Sequence, residues 1–190
     1  EEQEEATAFL SKAFIFACLL IVLILVTQFN TLSAPLIITV TVLLSMVGVL
    51  VGLMVCQIPF SIIMTGIAVI ALAGVVVNNA IVLIDYFYQL KATGLDALEA
   101  LVRTGLTRFR PVMLTAITTV LGLLPMATGV SFDFHTFGWD IGGESSQWWG
   151  PMAVAVIFGL AVATLLTLVV VPVLCSLADN PPFFSRAKRK

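Results

Sequence analysis

The sequence predicts an all-α integral membrane protein: a five-helix transmembrane bundle with one amphipathic helix along the inner membrane surface. Three observations carry that prediction. Of the 190 residues, 60 % are apolar and 11 % charged, where a soluble domain holds roughly 45–50 % apolar and about 25 % charged residues. Mean hydropathy is +1.12. Five stretches, 14–28, 36–56, 60–84, 112–130 and 147–178, contain no Asp, Glu, Lys or Arg, and most reach the ~20 residues that cross a hydrocarbon core about 30 Å thick. A formal net charge of −2 with no basic cluster outside one short tail excludes a nucleic-acid binder, and the apolar excess excludes a disordered chain, a collagen-like fibre and a small disulfide-stapled module.

The elements follow in chain order. Residues 1–8 read as the end of an extracytoplasmic region, because EEQEE is acidic where a cleavable signal begins with positive charge. A water-facing region is expected upstream. The first span covers about 9–29. A short NTLSAP link then turns the chain, and Pro35 opens the second span, 36–56. Gly48 and Gly52 on the second span, and Gly66, Ala71 and Gly74 on the third, 60–86, are small residues that let helix backbones approach closely.

Leu95, Leu98, Leu101 and Val102 recur at helical spacing beside Asp96, Glu99 and Arg103, which predicts an amphipathic surface helix over 94–106. The fourth span is 111–130. The polar, Gly-rich and aromatic segment 131–147 reads as an outer loop, and Trp148 and Trp149 mark the headgroup belt before a long fifth span, 148–178. Residues 179–190 form a cytoplasmic tail whose four basic residues lie near anionic lipid. Eight of the nine basic residues fall between spans three and four or in the tail, and only Lys12 falls opposite. Cytoplasmic loops retain Lys and Arg, so the N-terminus is expected outside and the C-terminus inside.

In hydrocarbon a polar side chain must find a partner or water, so the few such groups in the spans are the candidate site. Asn78 and Asn79 lie in the third span, and Asp85 follows Asn78 by seven residues, about two turns, on one face. Arg108 and Thr115 are likewise seven apart, with Thr118 and Thr119 a turn deeper. Two such stripes on antiparallel neighbours would line one hydrated seam. The blander reading has the amides as interhelical hydrogen-bonding groups, Asp85 and Arg108 as interface charges, and the threonines bonded back to their own helix. The single histidine, His135, sits in the outer loop near Asp133 and Asp140, a poor metal set, and no cofactor is expected. Cys18, Cys56 and Cys175 have no metal or redox spacing and read as packing residues. The chain holds no nucleophile motif, phosphate-binding Gly-rich loop or HExxH, so no enzymatic activity is expected.

GVVVNNAIVLIDY at 74–86, RFRPVMLTAITTVLGLLPMA at 108–127 and VVVPVL at 169–174 resemble the second membrane half of resistance-nodulation-division (RND) efflux transporters, in the branch that exports hydrophobic and amphiphilic compounds. The likeness covers essentially the whole chain, as helices eight to twelve of that family. It implies a proton-driven antiporter in the bacterial inner membrane, working as a homotrimer with a membrane-fusion protein and an outer-membrane channel. Its partners would be the first membrane half, the porter domains and the lipid bilayer, with no nucleic acid. It also implies a proton relay in which the family's arginine and threonine are Arg108 and Thr115. The family's relay lysine is replaced here by Asn78, and by the internal repeat Asn78 and Asn79 occupy the place that an aspartate pair holds in the other half. Export of a lipid by a relative, or a non-transporting membrane scaffold, are the alternative functions.

The orientation is testable by cysteine labelling in a background without the native cysteines. Ser145→Cys should react with an impermeant thiol reagent in intact cells, and Ala187→Cys only after permeabilisation; labelling at 187 in sealed cells would reverse the predicted topology.

Overall fold

The computed structural model of the chain describes residues 2–133 and 138–179. Five long helices, α1 (Glu2–Phe29), α2 (Ser33–Val55), α3 (Ile62–Ala92), α4 (Ala97–Thr128) and α5 (Glu144–Asp179), form the bundle, and a two-stranded hairpin, β1 (Val130–Asp133) and β2 (Gly138–Ile141), joins the last two. Each helix holds a stretch long and apolar enough to cross a membrane. The five-helix membrane fold expected from composition is therefore present. The outer-loop His135 and the tail from residue 180 onward lie outside the described residues.

α5 is the central element and packs against α2, α3 and α4. The core lies where it meets α2 and α3, around Ile38, Val49, Leu72, Val76 and Leu160, all nearly inaccessible. Close approach there depends on glycines. A Cβ built on Gly48 would stand 2.7 Å from Val162 Cβ and 3.0 Å from the Phe158 carbonyl oxygen, one on Gly52 would run into the Phe158 side chain, and one on Gly159 would meet Leu72 and, at 2.8 Å, Val49 Cγ2. The Gly48/Gly52 pair thus receives α5. The glycines of the third span make no such crossing: Gly74 faces open space and Gly66 meets only Leu10 of α1. A small-residue motif identifies a surface for close approach, while the partner is decided by which helix the chain returns to that surface.

α1 is held loosely. Leu25 is buried, but Phe9, Phe16, Leu19 and Leu23 are each more than 60 % exposed. The helix begins at Glu2, seven residues ahead of the span read from hydropathy, and ends where Asn30 takes a left-handed conformation, φ 49°, which asparagine tolerates well. α2 starts at Ser33 with Pro35 in its first turn, where a missing N–H costs no helical bond. α3 runs six residues past the predicted end at 86 and is capped at its start by Ser61, whose Oγ accepts from Met64 N at 3.4 Å.

Two local expectations are corrected. The surface helix 94–106 and the fourth span 111–130 are one continuous helix, α4, with Pro111 inside it. A proline at this position removes one backbone bond and crowds the preceding turn. Continuity is nevertheless maintained by packing, because Ala100, Thr104, Val112 and Ala116 are all buried, with Arg108 half-buried between them, at four-residue intervals along a single stripe. Leu95 and Leu101 join the core, and Leu98 and Val102 remain exposed. The second correction concerns the 131–147 loop, which together with Val130 forms an antiparallel hairpin, registered Val130 with Ile141 and Asp133 with Gly138. Gly129 and Gly142, with φ of 75° and 81°, close its base through a 2.8 Å bond from Gly142 N to Gly129 O. Left-handed glycines at both corners let a strand follow directly on the end of α4.

The glycine crossing predicts a sharp asymmetry. Gly48→Ala should destabilise the folded protein in detergent by about 1–3 kcal/mol through overpacking against α5 backbone. Gly105→Ala, which has open space around it, should stabilise by up to roughly 1 kcal/mol through helix propensity. Paired thermal or chemical denaturation measures both, and equal effects would contradict the crossing.

Candidate functional site

The polar residues of α3 and α4 come together along one antiparallel seam. Two contacts define its register: Thr115 Oγ1 donates toward Asn79 Oδ1 at 3.3 Å, and the Arg108 guanidinium carbon lies 4.5 Å from the centroid of the Tyr86 ring. From 79 to 86 is seven residues up α3, and from 115 to 108 is seven residues down α4. Seven residues is about two helical turns, so both contacts belong to the same pair of facing stripes.

The stripe on α3 is one residue away from the one expected. Asn79 and Tyr86 face α4, whereas Asn78 is exposed, and Asp85 is half-buried with its Oδ2 accepting from Gln89 Nε2 at 2.8 Å. A one-residue step rotates a side chain by about 100° around the helix axis, which is enough to turn Asn78 and Asp85 off the seam. Asn79 is drawn inward because Val76, Ala80, Leu83 and Phe87 around it are core residues, leaving it 5 % exposed. The amide contributes its oxygen to α4 from inside the packed face.

Thr115 Oγ1 has a shorter bond, 2.9 Å, to the Val112 carbonyl in its own helix, so its single proton is shared between local and interhelical acceptors. Thr118 and Thr119 bond back to α4 carbonyls, Thr118 to Leu114 O at 2.8 Å and Thr119 to Thr115 O at 2.8 Å. Neither hydroxyl bonds across the seam among the described residues. Arg108 is half-buried, and its Nε is fully buried with no hydrogen-bond partner among the described residues. An unpaired guanidinium donor inside a packed helix pair is costly, and the Tyr86 ring face supplies the compensating attraction. Tyr86 was not among the residues singled out from sequence; its signal was its place seven residues after Asn79.

Thr118 and Thr119 aside, five residues were expected to form the site, Arg108, Thr115, Asn78, Asn79 and Asp85, and the structure brings Arg108, Thr115 and Asn79 into the seam and leaves Asn78 and Asp85 beside it. No group of three His, Cys, Asp or Glu residues gathers among the described residues, and Cys18, Cys56 and Cys175 form no disulfide with one another.

The AcrB/AcrD/AcrF family matches residues 1–179. The chain is 38 % identical over 164 residues to the swarming motility protein SwrC of Bacillus subtilis (strain 168), covering 86 % of this chain and 14 % of that protein. It is 34 % identical over 181 residues to the cobalt-zinc-cadmium resistance protein CzcA of Cupriavidus metallidurans, covering 95 % of this chain and 16 % of that one. The multidrug resistance protein MdtC of Erwinia tasmaniensis is 33 % identical over 135 residues, 70 % of this chain and 12 % of that protein. A crystal structure of a heavy metal efflux pump superposes with a TM-score of 0.77 at 33 % identity, over 94 % of this chain and 16 % of that one. The chain therefore spans about a sixth or less of the length of these relatives.

The register of the seam separates the adjacent asparagines. Asn79→Ala should weaken the protein by roughly 0.6–1.7 kcal/mol, the range for hydrogen bonds between membrane helices, whereas Asn78→Ala should leave stability unchanged within about 0.5 kcal/mol. Denaturation of both variants in the same detergent checks this, and the opposite ranking would place Asn78 in the seam.

Proposed function

The chain belongs to the AcrB/AcrD/AcrF family of RND efflux transporters, and on that premise we propose that it is the membrane-embedded C-terminal part of a proton-driven exporter, with its N-terminus in the periplasm and its C-terminus in the cytoplasm. The complete protein would unite it with a first membrane half and porter domains, assemble as a homotrimer in the bacterial inner membrane, and work with a membrane-fusion protein and an outer-membrane channel.

The observation that supports this reading best is Arg108, a half-buried cation in a membrane helix pair whose Nε meets no acceptor among the described residues. Ionisable groups at such positions are costly and mark ion and proton pathways. Coupling carboxylates would come from the first membrane half. Arg108 beside them favours their ionised form and holds their pKa down, so that helix rearrangement moving the cation away promotes proton uptake. Thr115 and Asn79 orient hydrogen bonds along the seam, and exposed Asn78 faces outward from it, where the family has a lysine. A neutral amide there leaves Arg108 as the principal cation of the relay in this half. Asp85, held by Gln89, is assigned a peripheral part in the coupling.

For the substrate, the helix-three and helix-four motifs and the similarity to a multidrug resistance protein favour hydrophobic or amphiphilic compounds. Similarity to a cobalt-zinc-cadmium resistance protein over nearly the whole chain and the superposition on a heavy metal efflux pump favour a second reading, export of divalent metal cations. Reconstitution of the complete transporter with a pH-sensitive dye separates the two, with ethidium and Co²⁺ as probes. Proton flux driven by ethidium alone supports the first, and flux driven by Co²⁺ alone the second.

In that assay Arg108→Ala should abolish proton-coupled flux without preventing insertion, because the residue lies just ahead of the charge-free stretch of α4. Asn78→Ala should lower flux only partly. Unchanged flux in the Arg108 variant would reduce Arg108 to an interface charge.

A further inference from the structure

Residues 86–88 are three consecutive aromatics near the end of α3, and successive side chains on a helix point about 100° apart, so the run has to meet three different surroundings. Phe87 is buried in the core at 3 % exposure. Tyr88 turns toward the α1–α2 link, with its ring 6.2 Å from that of Phe29 and its hydroxyl 3.4 Å from Ser33 Oγ. Tyr86 turns toward α4 and lies under Arg108, with 4.5 Å between guanidinium carbon and ring centroid, well inside the ~6 Å limit for attraction between a cation and an aromatic face.

We propose that Tyr86 is a positioning residue for Arg108: its ring face holds the guanidinium in the α3–α4 seam without itself supplying a negative charge. The proposal rests on the reading of Arg108 as the coupling cation. A carboxylate partner would also hold the arginine, but it would neutralise the field that Arg108 presents to any other acid. Asp85, next to Tyr86 on α3, is engaged with Gln89, and Glu99, on α4 with Arg108, is engaged with Arg103 at 2.7 Å. An aromatic face attracts the cation through its quadrupole and carries no net charge. Arg108 Nε, buried and without a hydrogen-bond partner among the described residues, keeps a donor in reserve for an acceptor that arrives from outside this chain. The same register places Asn79 under Thr115 two turns away, so one rigid stripe of α3 positions both groups of α4.

The test uses the complete transporter in proteoliposomes, with ethidium or Co²⁺ as the probe, whichever the unaltered protein carries. Tyr86→Leu keeps an apolar side chain of reduced size but removes the π face, and should lower maximal coupled flux roughly three- to thirtyfold, the factor matching the usual strength of a cation–π contact. The KM for the probe should stay unchanged. Tyr86→Phe keeps the face and loses only the hydroxyl, and should retain full flux. Full flux in Tyr86→Leu, with Arg108→Ala inactive, overturns the positioning role and leaves the coupling role standing. Loss of flux in Tyr86→Phe overturns it as well, by assigning the effect to the hydroxyl, and this arm holds even where the leucine variant inserts poorly. Full flux in Arg108→Ala removes the coupling cation and the positioning proposal together.

Discussion

Three residues without side chains set the geometry on which the rest of this bundle depends. Lipid tails are as apolar as leucine, so burying a leucine between two membrane helices gains little, and association relies on close van der Waals contact and hydrogen bonds. Gly48, Gly52 and Gly159 provide that contact by bringing α2 and α5 together with Leu72 of α3 in the same junction. Once α5 is seated there, α3 is fixed on its flank and α4 packs against the remaining side. The peripheral helices follow from this order. α1 has only a short buried patch around Leu25 and exposes most of its length, while α4 keeps one buried stripe, which continues through Pro111.

Fixing α3 against α5 also fixes its rotation, and rotation decides the chemistry of the seam. Because Leu72, Val76, Leu83 and Phe87 must face the core, Asn79 and Tyr86 are carried to the α4 side and Asn78 is carried out. The polar contacts in the seam are individually modest: one interhelical hydrogen bond at 3.3 Å and one cation–π contact at 4.5 Å. Their consequence is positional. They keep a guanidinium and a hydroxyl at fixed heights on α4, two turns apart, in a helix that is otherwise little covered. Under the proposed function such groups would meet others supplied by the remainder of the protein, and a seam with a buried Nε that has no partner among the described residues is suited to that encounter.

Much of this was legible from residue order alone. The spans, the turns between them and the family resemblance were carried by charge-free length, by proline and glycine punctuation and by motifs around Asn78, Arg108 and Pro172. The site was legible as a set of polar residues at heptad spacing, and three of the five are in the seam. Asn78 and Asp85 were not separable from Asn79 and Tyr86, since both pairs have the same spacing and adjacent positions. The continuity of α4 was also hidden, because Pro111 is a strong local break signal and the stripe from Ala100 to Ala116 that overrides it involves contacts with other helices.

By itself the sequence determined the number and apolar character of the membrane helices and the types of polar group between them, because hydrophobic length and residue identity are properties of the chain in one dimension. Only the tertiary structure decided which helix enters the Gly48/Gly52 surface and which of two neighbouring stripes on α3 meets Arg108 and Thr115. The reason is rotational: a helix exposes the same residues in the same order whatever its angle about its own axis, and that angle is set by the side chains of the helices packed around it.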